Sequence, residues 1–203
     1  MFVIGITGGV GSGKSLVAKI ARKKYNASLL IADELGHIVM EPGNNAYNKI
    51  IERFGRDILG DSSKIDRNKL ADIVFNNDKE RLYVNGIIHP EVIKYIESYI
   101  NERKSQDGYI ILETAVMYET GCDRFCNEIW YVHTPADTRI KRLSKNRGYT
   151  EEKSRQIIGK QKPDKFFMER AGRIIENPGS IKDLENIINS LPDTLKNVFN
   201  LIK

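Results

Sequence analysis

The chain has 203 residues, 40% hydrophobic and 29% charged, enough for one soluble domain that buries a core without disulfide or metal staples. A net charge of +5 suits an anionic partner but does not separate a nucleotide from a nucleic acid. Cys122 and Cys126 are too few for a disulfide framework, lack zinc partners, and by their spacing are expected on one helical face in a reducing cytosol. The opening apolar run is too short for a signal sequence, and no run approaches the ~20 apolar residues of a membrane span, so a cytoplasmic protein is expected.

Residues 2–7 form an apolar, β-branched run ending in glycines, the pattern of a buried parallel strand feeding a turn. Residues 14–24 show helical spacing, with Leu16, Val17, Ile20 and Ala21 on one face. A second strand is expected at 28–32. Two helical stretches then cover 34–54, broken at Glu41-Pro42-Gly43-Asn44. After a Gly/Asp/Ser-rich connection, Asp66 precedes one helix and Asp78 is expected to cap a longer one, kinked at His89-Pro90. Strands follow at 109–112 and 128–133, charged helices at 135–145 and 151–162, a strand near 173–175 and a final helix from Ile181. Strands alternating with helices predict a parallel sheet covered on both faces. The interval between the second and third strands is far longer than the dozen or so residues of a crossover and predicts a helical lobe.

Gly8-Gly9-Val10-Gly11-Ser12-Gly13-Lys14-Ser15 matches the phosphate-binding loop pattern in full and stands between a predicted strand and a predicted helix. Closely spaced glycines let successive N–H groups cradle phosphate oxygens, and the helix adds its positive end. Lys14 is expected at the β and γ phosphates and Ser15 at Mg2+. Asp33, at the end of the second strand, has two readings: it accepts the proton of an attacking hydroxyl, or it caps the helix starting at Glu34. Between Asp137 and Arg173 there are 12 Lys/Arg against 5 Asp/Glu, and Arg142 and Arg147 are expected beside a turn between two helices, where a lid brings arginines onto phosphates. His89 reads first as a packed kink residue. Glu113 and Glu119 bracket the segment after the third strand, where a carboxylate approaches Mg2+ through water or touches the acceptor.

In this order the motifs resemble those of the dephospho-CoA kinase family, over nearly the whole chain. The residues that carry the resemblance are Ile6 to Ser15, Ala32-Asp33, Glu41-Pro42-Gly43, Asp66 to Leu70, Val74-Phe75 and Ile88-His89-Pro90, then Lys141-Arg142-Leu143, Arg147, Thr150, Gln161 and Ile175-Glu176-Asn177. The resemblance implies a single-domain P-loop three-layer α/β fold with a five-stranded parallel sheet. Its core spans about 1–33, 108–135 and 171–203, its helical acceptor-binding lobe about 34–107 and its basic lid about 136–170. It implies transfer of the ATP γ-phosphate to the ribose 3′-hydroxyl of dephospho-CoA, giving CoA and ADP, with Mg2+ and with neither nucleic acid nor membrane as partner. Lys14, Asp33 and Arg142 are the implied catalytic residues. Gly9, Gly11, Ser12, Gly13, Lys14, Ser15, Leu16, Arg142 and Arg147 bind ATP, with Ser15 on the metal. Thr7, Asp33, His37, His89, Glu113 and Glu119 face the acceptor.

The chain departs from the family pattern at Ile31, where an aspartate is usual, at His37 for arginine, and at Leu16 for threonine. The stretch Glu113 to Glu119 keeps its end charges but not its proline, and Gly172 replaces a frequent aspartate. The alternatives are another small-molecule kinase of this architecture, a P-loop binding module, and a nucleic-acid protein using the basic hairpin. The chain lacks the Asn-Lys-x-Asp guanine motif of a GTPase, and the hairpin offers only Tyr149, Phe166 and Phe167 for base stacking.

Overall fold

The computed structural model describes residues 1–177 and 179–191. Pro178 of the expected Asn177-Pro178-Gly179 connection, and residues 192–203, lie outside the described residues. The chain divides into two units, one formed by residues 1–31 and 104–203 and the other by 32–103.

The first unit is built on a parallel sheet of five strands among the described residues: β1 (Phe2–Thr7), β2 (Ser28–Ile31), β3 (Tyr109–Glu113), β4 (Glu128–His133) and β5 (Arg173–Glu176), in the order β2-β3-β1-β4-β5. β1 is central and buried along its whole length, which explains why its sequence is a continuous apolar run rather than an alternating one. On one face Ile4, Ile6, Ile111, Trp130, Val132 and Ile175 pack against Val17, Ala18, Ala21 and Tyr25 of α1 (Lys14–Tyr25), and the same core takes in Leu184 and Ile188 of α9 (Ile181–Ser190). Lys24 donates its ammonium to the carbonyls of Ile188, Asn189 and Leu191, closing the C-terminal end of α9 with a cation, which the helix dipole favours.

On the other face Tyr131 stacks flat on Phe167, with ring centroids 4.9 Å apart. Cys126 and Met117 fill the space over Gly5, leaving no room there for a side chain. Phe167 belongs to α8 (Asp164–Met168), a helix of five residues that shows no period in the sequence. Cys122 lies in a short 3-10 helix, Cys122–Phe125, and Cys126 follows it, so the two thiols do not share an α-helical face as expected. Burial raises the pKa of both thiols, Cys126 to about 12.

Among the described residues this unit also holds α6 (Ala136–Arg147) and α7 (Glu151–Gly159). α6 runs two residues beyond the expected end and stops at Gly148, which takes the left-handed conformation and donates to the carbonyls of Leu143 and Ser144. Arg142 therefore sits mid-helix rather than beside a turn, whereas Arg147 ends the helix at the connection to α7. α7 stops three residues before the expected end at 162, leaving Gln161 in a connection.

The second unit is helical: α2 (Ala32–Val39), α3 (Asn45–Phe54), α4 (Arg67–Asn76) and α5 (Asp78–Asn101), with a 3-10 turn at Arg56–Ile58. Ile50, Ile58, Ile65, Leu70 and Val84 form its own core. Asp66 caps α4 by accepting from the N–H groups of Asn68 and Lys69. α5 is capped by Asn77, accepting from Lys79 and Glu80, and not by Asp78, which is its first residue. α5 is assigned as one helix through Pro90, which lacks the N–H that would bond to the carbonyl of Gly86.

Candidate functional site

Because all strands are parallel, Thr7, Ile31, Glu113, His133 and Glu176 end at one edge of the sheet. Ligands of such sheets bind at that edge, where neighbouring connections diverge. The connection from β1 leads to β2 beyond β3 on one side, whereas β3 is followed by β4 on the opposite side of β1. The glycine-rich loop leaves β1 at this divide.

Gly13 sits at φ 88°, and a side chain there would run into the Asn177 amide, so both conformation and space require glycine. No side chain caps α1, so the first N–H groups of that helix have no partner within it, the arrangement that receives an anion. The loop carbonyls, by contrast, are engaged. The Ser12 carbonyl accepts from Asn177 Nδ2 at 2.7 Å, Thr134 Oγ1 at 3.0 Å and Arg142 Nη1 at 3.3 Å. The Val10 carbonyl accepts from Arg139 Nε at 2.8 Å. Holding carbonyls away from the cradle leaves the N–H ends of those peptides to face a phosphate.

Glu113 stands at the end of β3 in register with Ile6 of β1 and is 2% exposed. Its carboxylate lies 3.8 Å from Lys14 Nζ and accepts from Ser15 Oγ at 3.3 Å. It therefore meets the lysine and the serine of the glycine-rich loop. Ser15 Oγ and the Glu113 carboxylate are hard oxygen donors close together, a set that fits Mg2+. Leu16 is partly buried against the core cluster, and its side chain offers no oxygen to a metal.

Arg142, Leu143, Asn146 and Arg147 share one face of α6 and line a cleft of about 190 Å3 with Gly11, Gly13, Lys14 and Ser15. Arg142 also donates from Nη2 to the Asn177 carbonyl at 2.9 Å, so it braces the loop as well as facing the cleft. Thr7 is fully buried at the end of β1, and its Oγ1 has no hydrogen-bond partner among the described residues. Ser12 Oγ is likewise buried without a partner. Glu119 is exposed on the turn after β3, with no hydrogen bond or ion pair among the described residues.

The remaining sequence-predicted residues belong to the helical unit. Asp33 is exposed in the first turn of α2, two residues after β2. Since α2 begins at Ala32, Asp33 is inside the helix and is not the cap of a helix starting at Glu34; its charge suits the positive end. His37, in the last turn of α2, has a buried Nδ1 with no partner among the described residues. His89 is half-buried in α5, and that burial lowers its pKa. Sequence reasoning did not single out Thr134 or Arg139. Arg139 precedes Arg142 by three residues on one helix, a spacing that already placed both on one face.

Fold and loop together place the chain among the P-loop kinases. Its backbone is similar to that of a solved dephospho-CoA kinase from Campylobacter jejuni, with a TM-score of 0.64 at 20% identity over 98% of this chain and 96% of that one, a likeness of fold. Sequence narrows the class. The profile described as dephospho-CoA kinase matches residues 2–183. The dephospho-CoA kinase of Bacillus licheniformis is 36% identical over 97% of this chain and 98% of its own. That of Carboxydothermus hydrogenoformans is 36% identical over 89% and 87%. The chain belongs to the dephospho-CoA kinase family.

Proposed function

We propose that this chain transfers the γ-phosphate of ATP to the ribose 3′-hydroxyl of dephospho-CoA, releasing CoA and ADP. The observation that carries the reading is the contact of buried Glu113 with both Lys14 and Ser15 at the mouth of the phosphate loop. The acceptor follows from the family and from the relatives that bear its name.

In this reading the uncapped end of α1 and the loop N–H groups bind the triphosphate, and Lys14 turns from Glu113 to the β and γ phosphates. Ser15 and Glu113 hold Mg2+, which when bound offsets charge on the phosphate oxygens. Phosphoryl transfer asks little covalent chemistry of the protein, so alignment and charge dominate the rate. Arg142 and Arg147 supply positive charge from α6 along the cleft. Asp33 accepts the proton of the attacking hydroxyl. Its support is position: it follows by two residues Ile31, the register partner of Glu113. Thr7, His37, His89 and Glu119 are assigned to the acceptor, and for Thr7 the orphaned buried hydroxyl is the support. Residues 34–107 act as acceptor lobe and 136–170 as lid within one kinase domain. The free thiols of Cys122 and Cys126 suit a cytoplasmic setting. Among the described residues no helix is long and apolar enough to cross a membrane.

The product identifies the reaction. Phosphorus–proton correlation on the purified product should show coupling to H3′, placing the new phosphate on the ribose 3′ oxygen. A phosphate attached to any other oxygen rejects the assignment.

A further inference from the structure

Among the described residues Val10 has both of its peptide groups held by side chains from outside the loop. Its N–H donates to Gln161 Oε1 at 3.1 Å, and its carbonyl accepts from Arg139 Nε at 2.8 Å. The ring closes because Arg139 Nη2 donates to the same Gln161 Oε1 at 2.5 Å. Both neighbours of Oε1 are obligate donors, which fixes the orientation of the Gln161 amide: its NH2 in that place would face two N–H groups.

Arg139 is 5% exposed, yet among the described residues no carboxylate lies within ion-pair distance of it. Burial works against its charge, and the carboxylate that favours that charge from further away is Asp164. Asp164 is itself engaged by the Tyr131 hydroxyl at 2.6 Å and by His133 at 3.5 Å. A buried guanidinium is costly to leave uncompensated, and here it rests on a loop carbonyl and against Gly9, where any side chain would collide with it. Its planar fork reaches two acceptors at once, which an ammonium does not do in the same geometry.

We propose that Arg139 and Gln161 are positioning residues for phosphoryl transfer, clamping Val10 so that the phosphate loop keeps its nucleotide-binding shape. Gln161 lies in the connection between α7 and α8, within the basic segment, while Arg139 lies on α6. The clamp thus ties that segment at a defined point to the loop. It also commits the Val10 N–H to Gln161, so the cradle for phosphate begins at Gly11. The inference rests on Gly8 to Ser15 being the ATP phosphate site.

Gln161→Leu keeps bulk and removes the shared acceptor, leaving the Val10 N–H and Arg139 Nη2 unpaired. It should raise the Kd for MgADP, read by calorimetry without acceptor, and the KM for ATP about tenfold, the scale of one lost hydrogen bond. The KM for dephospho-CoA should stay near wild type, while the two unpaired buried donors lower the thermal midpoint modestly. Arg139→Lys should show the same selective loss, and the double variant should be little worse than the worse single one, because both act through Val10. Unchanged nucleotide binding in Gln161→Leu overturns the clamp, as does a rise in both KM values. If Arg139→Lys does not fold, Gln161→Leu alone decides. Lys14→Ala separates the two levels of inference: if it too binds MgADP normally, the phosphate-site assignment fails. If it loses binding while Gln161→Leu keeps it, only the clamp fails.

Discussion

Glu113→Gln removes one charge from the centre of the site while keeping its shape. The Glu113 carboxylate faces Lys14 Nζ at 3.8 Å with almost no exposure to water. At that distance and an effective dielectric constant near 20, the attraction is roughly 4 kcal/mol before desolvation is subtracted. Desolvation of the two groups cancels most of it, leaving about 1–2 kcal/mol as the part a ligand must overcome to take the lysine. A phosphate that claims Lys14 competes with Glu113, so without Mg2+ the variant should bind ADP about 5- to 30-fold more tightly. With Mg2+ the order reverses in turnover: losing a carboxylate that holds the metal should lower kcat about a hundredfold or more. Calorimetry of ADP binding in the presence of a chelator, beside steady-state rates with Mg2+, reads both effects. If ADP binds Glu113→Gln no tighter than wild type without metal, the carboxylate and the phosphate do not compete for Lys14.

Asp33→Asn should cut kcat about a hundredfold or more while leaving the KM for ATP nearly unchanged, since only the base is lost; near-normal turnover would leave Asp33 as a helix-end charge alone. Burial depresses the pKa of His89, so the unfolded chain takes up that proton at higher pH than the folded chain does. Stability should therefore fall as pH drops below the ordinary histidine value of about 6.5, and His89→Gln should flatten that slope in urea midpoints compared across this range. Equal slopes would show that this histidine does not contribute. Burial raises both thiols, Cys126 to about 12, so a disulfide reagent near neutral pH should label the native protein slowly and both cysteines promptly in denaturant. Fast labelling of the native chain would contradict the burial.

The strands and the phosphate loop were readable because their signals are local: buried parallel strands read as apolar runs, and a loop that bends around a phosphate needs its glycines. Element ends were less so. Asn77 rather than Asp78 caps α5 because either residue type can cap, and only the backbone decides which one has left the helix. α6 continues through Asn146 and Arg147 because Gly148 ends it, a stop placed one residue after a polar pair that reads as a turn. α8 escaped notice because five residues do not complete two helical turns.

The site divided in the same way. Lys14, Ser15 and the position of Glu113 at a strand end were visible in the sequence, but the partner of Glu113 depends on the register Ile6 to Glu113 across two strands. The brace on Ser12 joins Thr134, Arg142 and Asn177, and the clamp on Val10 joins Arg139 and Gln161. Their partners are backbone carbonyls and N–H groups more than a hundred residues away, and a backbone group leaves no mark in the sequence that names its ligand.

The central claim is that ATP phosphorylates dephospho-CoA at this loop, and an acceptor panel tests it directly. Release of ADP is measured with Mg2+ and ATP against dephospho-CoA, nucleoside monophosphates, shikimate and gluconate. Turnover with dephospho-CoA should exceed that with every other acceptor, and Lys14→Ala should abolish it. Equal or faster ADP release with a nucleoside monophosphate would contradict the claim.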